Sequence, residues 1–250
     1  MKAIRLLASI FLILFGMAEK TEAQENGSCL NERQRQVAAI SMYTAEGDQE
    51  NLKTALSAGL DAGLTVNETK EILVQLYAYC GFPRSMGALG TLMAVLDERK
   101  GNGIMDEEGK LPSPLPEQNS VEFGAANQRK LFGRDAQGAV LKFAPAIDEY
   151  LKAHLFGDIF GRDNLDWQTR ELATVAALAV RHGVDNELKA HIGHAKHNGL
   201  TDAQINEILA MAQRCGNGMV LTEAQEPSKT FKAAPEIKVR KVFYKNRYDI

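Results

Sequence analysis

A long-range repeat constrains this chain more than any single motif. Asn51-Leu52-Lys53, Gly63-Leu64-Thr65 and Glu71-Ile72-Leu73 return as Glu187-Leu188-Lys189, Gly199-Leu200-Thr201 and Glu207-Ile208-Leu209, each 136 residues further on. Upstream, Arg35-Gln36-Val37-Ala38 matches Arg170-Glu171-Leu172-Ala173 at an offset of 135, so one residue was gained or lost in the turn between. Solenoids repeat every ~20–50 residues. The wider spacing here means two copies of one folded unit.

Both copies follow the same helical pattern. In the second, Leu172, Val175, Ala176 and Ala179 share one face of a first helix, and Leu188, Ile192 and Ala195 share one face of a second. Gly63 and Gly199 each follow a second helix, where a left-handed residue closes it. Thr65 with Glu68, and Thr201 with Gln204, spell capping boxes that open a third. The first copy adds a helix from Arg84 to about Arg99, with Pro83 where a first-turn proline is tolerated. Residues 100–116, with their glycines, acids and three prolines, read as an exposed linker. A short helix is expected over Ala125–Leu131. A longer one is expected over Pro145–Phe156, with Ile147, Leu151, His154 and Leu155 inward, and Asp166 caps the helix that carries Arg170. Strand signals are nearly absent outside the tail from Ile237 to Tyr248, where charges alternate with Val, Phe and Tyr. The fold class is therefore all-α, with a first repeat at 24–99, a linker at 100–120 and a second repeat with its tail at 121–250.

The N-terminus reads as an address. Lys2 and Arg5 precede an apolar run from Leu6 to Met17, and Thr21-Glu22-Ala23 offers a cleavage site, so residues 1–23 read as a signal peptide and the mature protein as periplasmic or secreted. The run is shorter than the roughly 20 residues that span a bilayer. A net charge of −3 with no basic tract before the tail argues against a nucleic-acid partner. Cys29, Cys80 and Cys215 show neither C-x-x-C nor metal-ligand spacing, and Cys80 and Cys215 read as small buried apolar residues.

The candidate chemistry lies in the second copy. Glu187, His191 and His194 stand at i, i+4 and i+7 on one helix stripe that borders the core stripe. A carboxylate one turn from an imidazole raises its basicity, fixes its tautomer and makes a proton-transfer pair. His197 is swung round the helix from His191 and His194 and reads as a solvated helix-end residue, so a metal site would need a ligand from elsewhere. No metal or cofactor is expected. Tyr77, Phe82, Met86 and Trp167 read as packing, and His154 as a satisfied core histidine. The first copy has Asn51 and Ala55 at the Glu187 and His191 positions, so it reads as scaffold or as wall for a site completed by copy two.

Arg170-Glu171-Leu172, Glu187 four residues before His191, and Gly199-Leu200-Thr201 together resemble the carboxymuconolactone decarboxylase family. Residues 75–84 resemble that family's next segment, and His154-Leu155-Phe156-Gly157-Asp158 ahead of the Arg170 helix resembles its tandem two-domain subgroup. The resemblance implies helical domains that assemble about a threefold axis, so that a doubled chain forms a homotrimer imitating a hexamer. It also implies one of two chemistries: cofactor-free acid–base decarboxylation of a small lactone acid, or peroxide reduction by the paired cysteines of alkylhydroperoxidase D. The positions of those cysteines are Val184 and Glu187 here, which excludes dithiol chemistry on this helix. Glu171 falls where thiol relatives keep a glutamate of the proton relay; its structural alternative is an ion pair with Arg170 or Arg181. The leading expectation is a lyase on a small carboxylated lactone or related acid. In it His191, Glu187 and Glu171 move protons, and Arg84 or Arg181 holds the carboxylate. The alternatives are an antioxidant peroxidase using Cys80 or Cys215, and a non-catalytic oligomeric binding protein.

Overall fold

The computed structural model describes residues 29–136 and 138–215. The leader read at 1–23 and the tail at 237–248 lie outside the described residues. What is described is all-α. The first copy comprises α1 (Glu32–Glu46), α2 (Gln49–Asp61), α3 (Val66–Cys80) and α4 (Phe82–Gly101). After the linker come α5 (Ser120–Phe132), α6 (Ala139–Phe143), α7 (Pro145–Tyr150) and a π-helical segment (Leu151–Ile159). The second copy supplies α8 (Trp167–Ala179), α9 (Asp185–His197) and α10 (Asp202–Arg214). No described helix is long and apolar enough to cross a membrane.

The repeat holds helix by helix. Asn31 caps α1 and Asp166 caps α8, each side chain accepting a backbone N–H of the first turn. Thr65 and Thr201 form the expected capping boxes with Glu68 and Gln204. Gly63 and Gly199 follow α2 and α9 with φ of 87° and 99°, conformations open to glycine and costly for other residues. The register shift falls in the turn after the first helix, which is residues 47–48 in one copy and 180–184 in the other.

The copies share one core. Val37, Ile40 and Met42 of α1 and Leu172, Val175 and Leu178 of α8 are buried in a single cluster with Leu52, Leu56, Ile72, Leu73 and Leu188. Each such side chain contributes about 1.5–3 kcal/mol on burial. Two ion pairs cross between the halves in reciprocal fashion. Arg35 of α1 donates from Nε to Glu207 of α10 at 2.7 Å, and Arg170 of α8 donates from Nη2 to Glu71 of α3 at 2.9 Å. The repeat equates Arg35 with Arg170 and Glu71 with Glu207, so the halves face each other as the protomers of an isologous dimer would. Only the second pair is buried: Arg170 and Glu71 are 0% and 2% exposed, Arg35 and Glu207 40% and 23%. Gln75 Oε1 and the Arg162 carbonyl accept the remaining Arg170 Nη bonds, and Arg162 also donates to Glu71.

The linker is exposed along most of its length but fastened to the body. Val66 and Asn67 donate their N–H groups to the carbonyls of Glu107 and Glu108, and buried Arg99 holds Asp106 and Asp61. Lys110 and Ser113 reach Asp163. A second, smaller core of Leu131, Leu155, Phe156, Ile159 and Phe160 joins α5 to the π-helical segment. Gly124 makes their contact possible, since a Cβ there would sit 1.6 Å from the Lys152 carbonyl oxygen. The expected helix over 145–156 is α-helical only to Tyr150. Beyond it the i→i+5 winding changes which residues face inward. Leu155 is buried as expected, whereas Ile147 is 43% exposed and the His154 side chain 52%.

Candidate functional site

The site is built where α8 and α9 pack, with α3 and α5 closing round it. Leu188 and Ala195 bury the inner stripe of α9, and Ile192 packs beside them. That anchoring turns the neighbouring stripe toward α8 and lays His191 against Glu171. Glu171 is completely buried, and its Oε2 accepts a hydrogen bond from His191 Nδ1 at 2.9 Å. Because a carboxylate only accepts, Nδ1 carries the proton in this pair, and neutral His191 keeps its lone pair on Nε2.

This corrects the expected pairing. Glu187, one turn before His191, is exposed in the first turn of α9, where an acid favours the helix dipole; the described hydrogen bond of His191 goes to Glu171. Glu171 in turn does not pair with Arg170 or Arg181. Arg170 is taken by Glu71, and Arg181 donates to the Ala45 carbonyl. Arg84 packs by Gly47 at the same corner as Ala45, so neither expected cation touches the dyad among the described residues. Arg134, just beyond α5, is a cation whose charge reaches His194, and buried Arg170 is one whose charge reaches Tyr79.

His194 is the second imidazole. Its ring stacks on Phe132 at 3.8 Å and meets the His191 ring edge-on at 5.1 Å. Burial, then the charges of His191, Arg134 and His197, push its pKa down to about 3, so it is neutral at physiological pH. Its Nδ1 is buried without a hydrogen-bond partner among the described residues, as is Glu171 Oε1. Glu171, His191 and His194 each offer a ligand atom, all within 4.8 Å of one another.

Tyr79, at the end of α3, is the residue that sequence reasoning missed. Its ring stands edge-on to His191 at 5.4 Å, and its hydroxyl is buried. That hydroxyl sits beside Thr174 and has no well-formed hydrogen bond among the described residues. Burial and the Glu171 charge raise its pKa, which keeps the phenol neutral. The first copy thus contributes a wall of the site, one of the two roles expected for it. The signal was available only as a tyrosine where the repeat has Cys215 in the other half.

Other candidates fall elsewhere. His154 is a partly exposed residue that bonds Asp158 at 2.7 Å through Nδ1 and Tyr77 through Nε2. His197 docks on the Lys130 carbonyl at 3.2 Å and so helps close the C-terminal end of α5. Phe82 and Met86, expected to pack, are each 65% exposed, although Tyr77 stacks on Phe82. Trp167 packs as expected, donating to the Phe160 carbonyl. Cys80 is buried with its thiol on the Leu76 carbonyl, and burial pushes the pKa of both Cys80 and Cys215 up. Cys215 lines a cleft with Ala39, Met42, Tyr43, Met211 and Arg214, at the repeat counterpart of the Tyr79 position.

No curated protein matches this chain. Two stretches, residues 14–93 and 145–225, match the Carboxymuconolactone decarboxylase family. The second holds Glu171, His191 and His194, the first holds Tyr79, and together they span more than half of the sequence: the chain belongs to the carboxymuconolactone decarboxylase family.

Proposed function

We propose that this protein is a cofactor-free acid–base lyase acting on a small carboxylated lactone or related acid. The observation that carries the reading is the hydrogen bond between buried Glu171 and partly buried His191 at 2.9 Å. Glu171 holds the Nδ1 proton and fixes the tautomer, which leaves the Nε2 lone pair to take a proton from substrate or, once protonated, to return one to carbon. In decarboxylation the C–C bond breaks, carbon dioxide leaves, and its electron pair passes into an enolate that His191 then protonates. The neutral Tyr79 hydroxyl, whose hydrogen bond is unspent, is the donor assigned to the developing oxyanion. Arg134 takes the carboxylate-holding role expected of Arg84 or Arg181. Glu187 has no part in this chemistry, since it is exposed in the first turn of α9 while His191 bonds Glu171.

The thiol alternative draws no support, because burial disfavours the thiolate of both Cys80 and Cys215. Export through residues 1–23 and assembly as a homotrimer belong to the same proposal. The apolar stripe of Phe82, Met86 and Met93 on α4, each about two-thirds exposed, supports assembly.

The test is turnover of carboxymuconolactone and related small lactone acids by the purified protein. Wild type is expected to release carbon dioxide, His191→Ala to lose activity by about 10²–10⁴-fold, and Glu171→Gln to fall between. Equal turnover in His191→Ala and wild type removes the role, and silence toward every carboxylated lactone removes the reading.

A further inference from the structure

We propose that Glu171, His191 and His194 form a site for one divalent transition-metal ion of the zinc class. The sequence alone places two imidazoles three residues apart on α9, one short of a ligand set. Packing supplies the missing ligand from α8. Two imidazoles and a carboxylate are the donor set of three-ligand zinc sites and of the non-haem iron triad.

Three features converge on this point. The ligand atoms lie within 4.8 Å of one another. Glu171, wholly buried, keeps one carboxylate oxygen without a partner among the described residues, and His194 keeps its buried Nδ1 in the same condition. Buried polar atoms left unpaired are costly, and two of them on the residues that adjoin His191 mark a place for a shared electrophile. Phe132, stacked on His194, and Tyr79, edge-on to His191, limit the swing of both rings. Metal–ligand bonds of ~2.0–2.2 Å bring tetrahedral ligand atoms to about 3.4 Å apart, so the ion closes the cluster by a small rotation of His194. A fourth position is left for water or a substrate oxygen, with the Tyr79 hydroxyl nearby to donate to it.

This inference uses the residues of the proposed lyase site and does not rest on that reading. The two are alternatives in time: an ion on His191 and Glu171 occupies the groups that relay protons, so the loaded protein is silent in acid–base chemistry.

The experiment is a titration of tag-free mature protein with Co2+ as spectroscopic probe, followed by displacement with Zn2+. One Co2+ per chain is expected, with the visible d–d bands of a low-coordinate site that bleach on adding Zn2+. His194→Phe preserves the stack on Phe132 and removes a ligand; it is expected to abolish the bands and weaken binding at least tenfold. His182→Gln removes an exposed imidazole and is expected to change neither. Circular dichroism confirms that His194→Phe is folded. X-ray absorption of the wild-type Co2+ protein gives an independent reading, with two imidazoles expected in the first sphere. Absence of stoichiometric binding, binding unchanged in His194→Phe, or fewer than two imidazoles around the metal overturns the proposal. Binding is read without substrate, and turnover is read in the presence of chelator. A metal site without lyase activity, or activity without a metal site, therefore identifies which of the two has failed.

Discussion

The two halves of this chain are built to one plan and differ in what they keep at equivalent places. Glu171, His191, His194 and Tyr79 surround one point, while the repeat puts Gln36, Ala55, Ala58 and Cys215 at the matching positions. Three helices, the threonine capping boxes and the closing glycines recur in both, although Asp48 caps α2 with its side chain and Val184 gives α9 no such cap. Architecture was therefore retained twice and reactive groups once. The same contrast runs through the reciprocal arginine–glutamate pairs, of which one is sealed and the other wet.

Breaking the pairs gives the largest expected effect. Glu71→Gln leaves Arg170 buried with its charge uncompensated and is expected to cost about 3–5 kcal/mol, read as a fall in the urea midpoint. Glu207→Gln, the same change in the other half, is expected to cost less than about 1 kcal/mol because its partner Arg35 is solvated. Comparable losses would mean that the halves do not differ as their exposure indicates.

Next in size is the wall contributed across the halves. Tyr79→Phe is expected to lower lyase turnover by about 10- to 100-fold while leaving folding intact, since it removes one donor from the developing oxyanion. Cys215→Ser, at the matching position, is expected to leave turnover unchanged. A loss with Cys215→Ser would bring the second cleft into the chemistry.

The caps sharpen the comparison from the side of sameness. Thr65→Ala and Thr201→Ala are each expected to cost about 1 kcal/mol, measured by thermal unfolding, because each removes one member of the same capping box. A difference well beyond that would show that one copy leans on this helix start more than the other.

The smallest effect is in acid. Burial raises the Glu207 pKa, but the Leu30 N–H and the Arg35 guanidinium outweigh it and hold the carboxyl below its ordinary value. Its contribution is thus fully present above the unfolded value of about 4.3 and is lost as pH falls through the lower folded value. The stability gap between wild type and Glu207→Gln should narrow over that window. A gap that stays constant there would break the assignment.

How far the sequence carried depended on distance along the chain. Helices, caps and the repeat are written within a turn or two of each residue, which is why Thr201, Gly199 and Asp166 could be placed in advance. The site is written between helices. On α9 alone, Glu187 is the carboxylate next to His191; only the packing of α8 on α9 replaces it with Glu171. Tyr79 comes from the other half, more than a hundred residues away, with nothing local to announce it. The π-helical segment has no sequence signature of its own, so a 3.6-residue periodicity wrongly turned Ile147 and His154 inward.

Phe132 lies flat on His194, and Asn198 and His197 bind the carbonyls at the end of α5, the helix that follows the linker. A single connection between duplicate halves can rest on only one of two related faces. By choosing its side, the tether breaks the equality of the twins: it covers one set of equivalent positions and leaves the other to drift, so that the join itself decides which twin keeps a vocation.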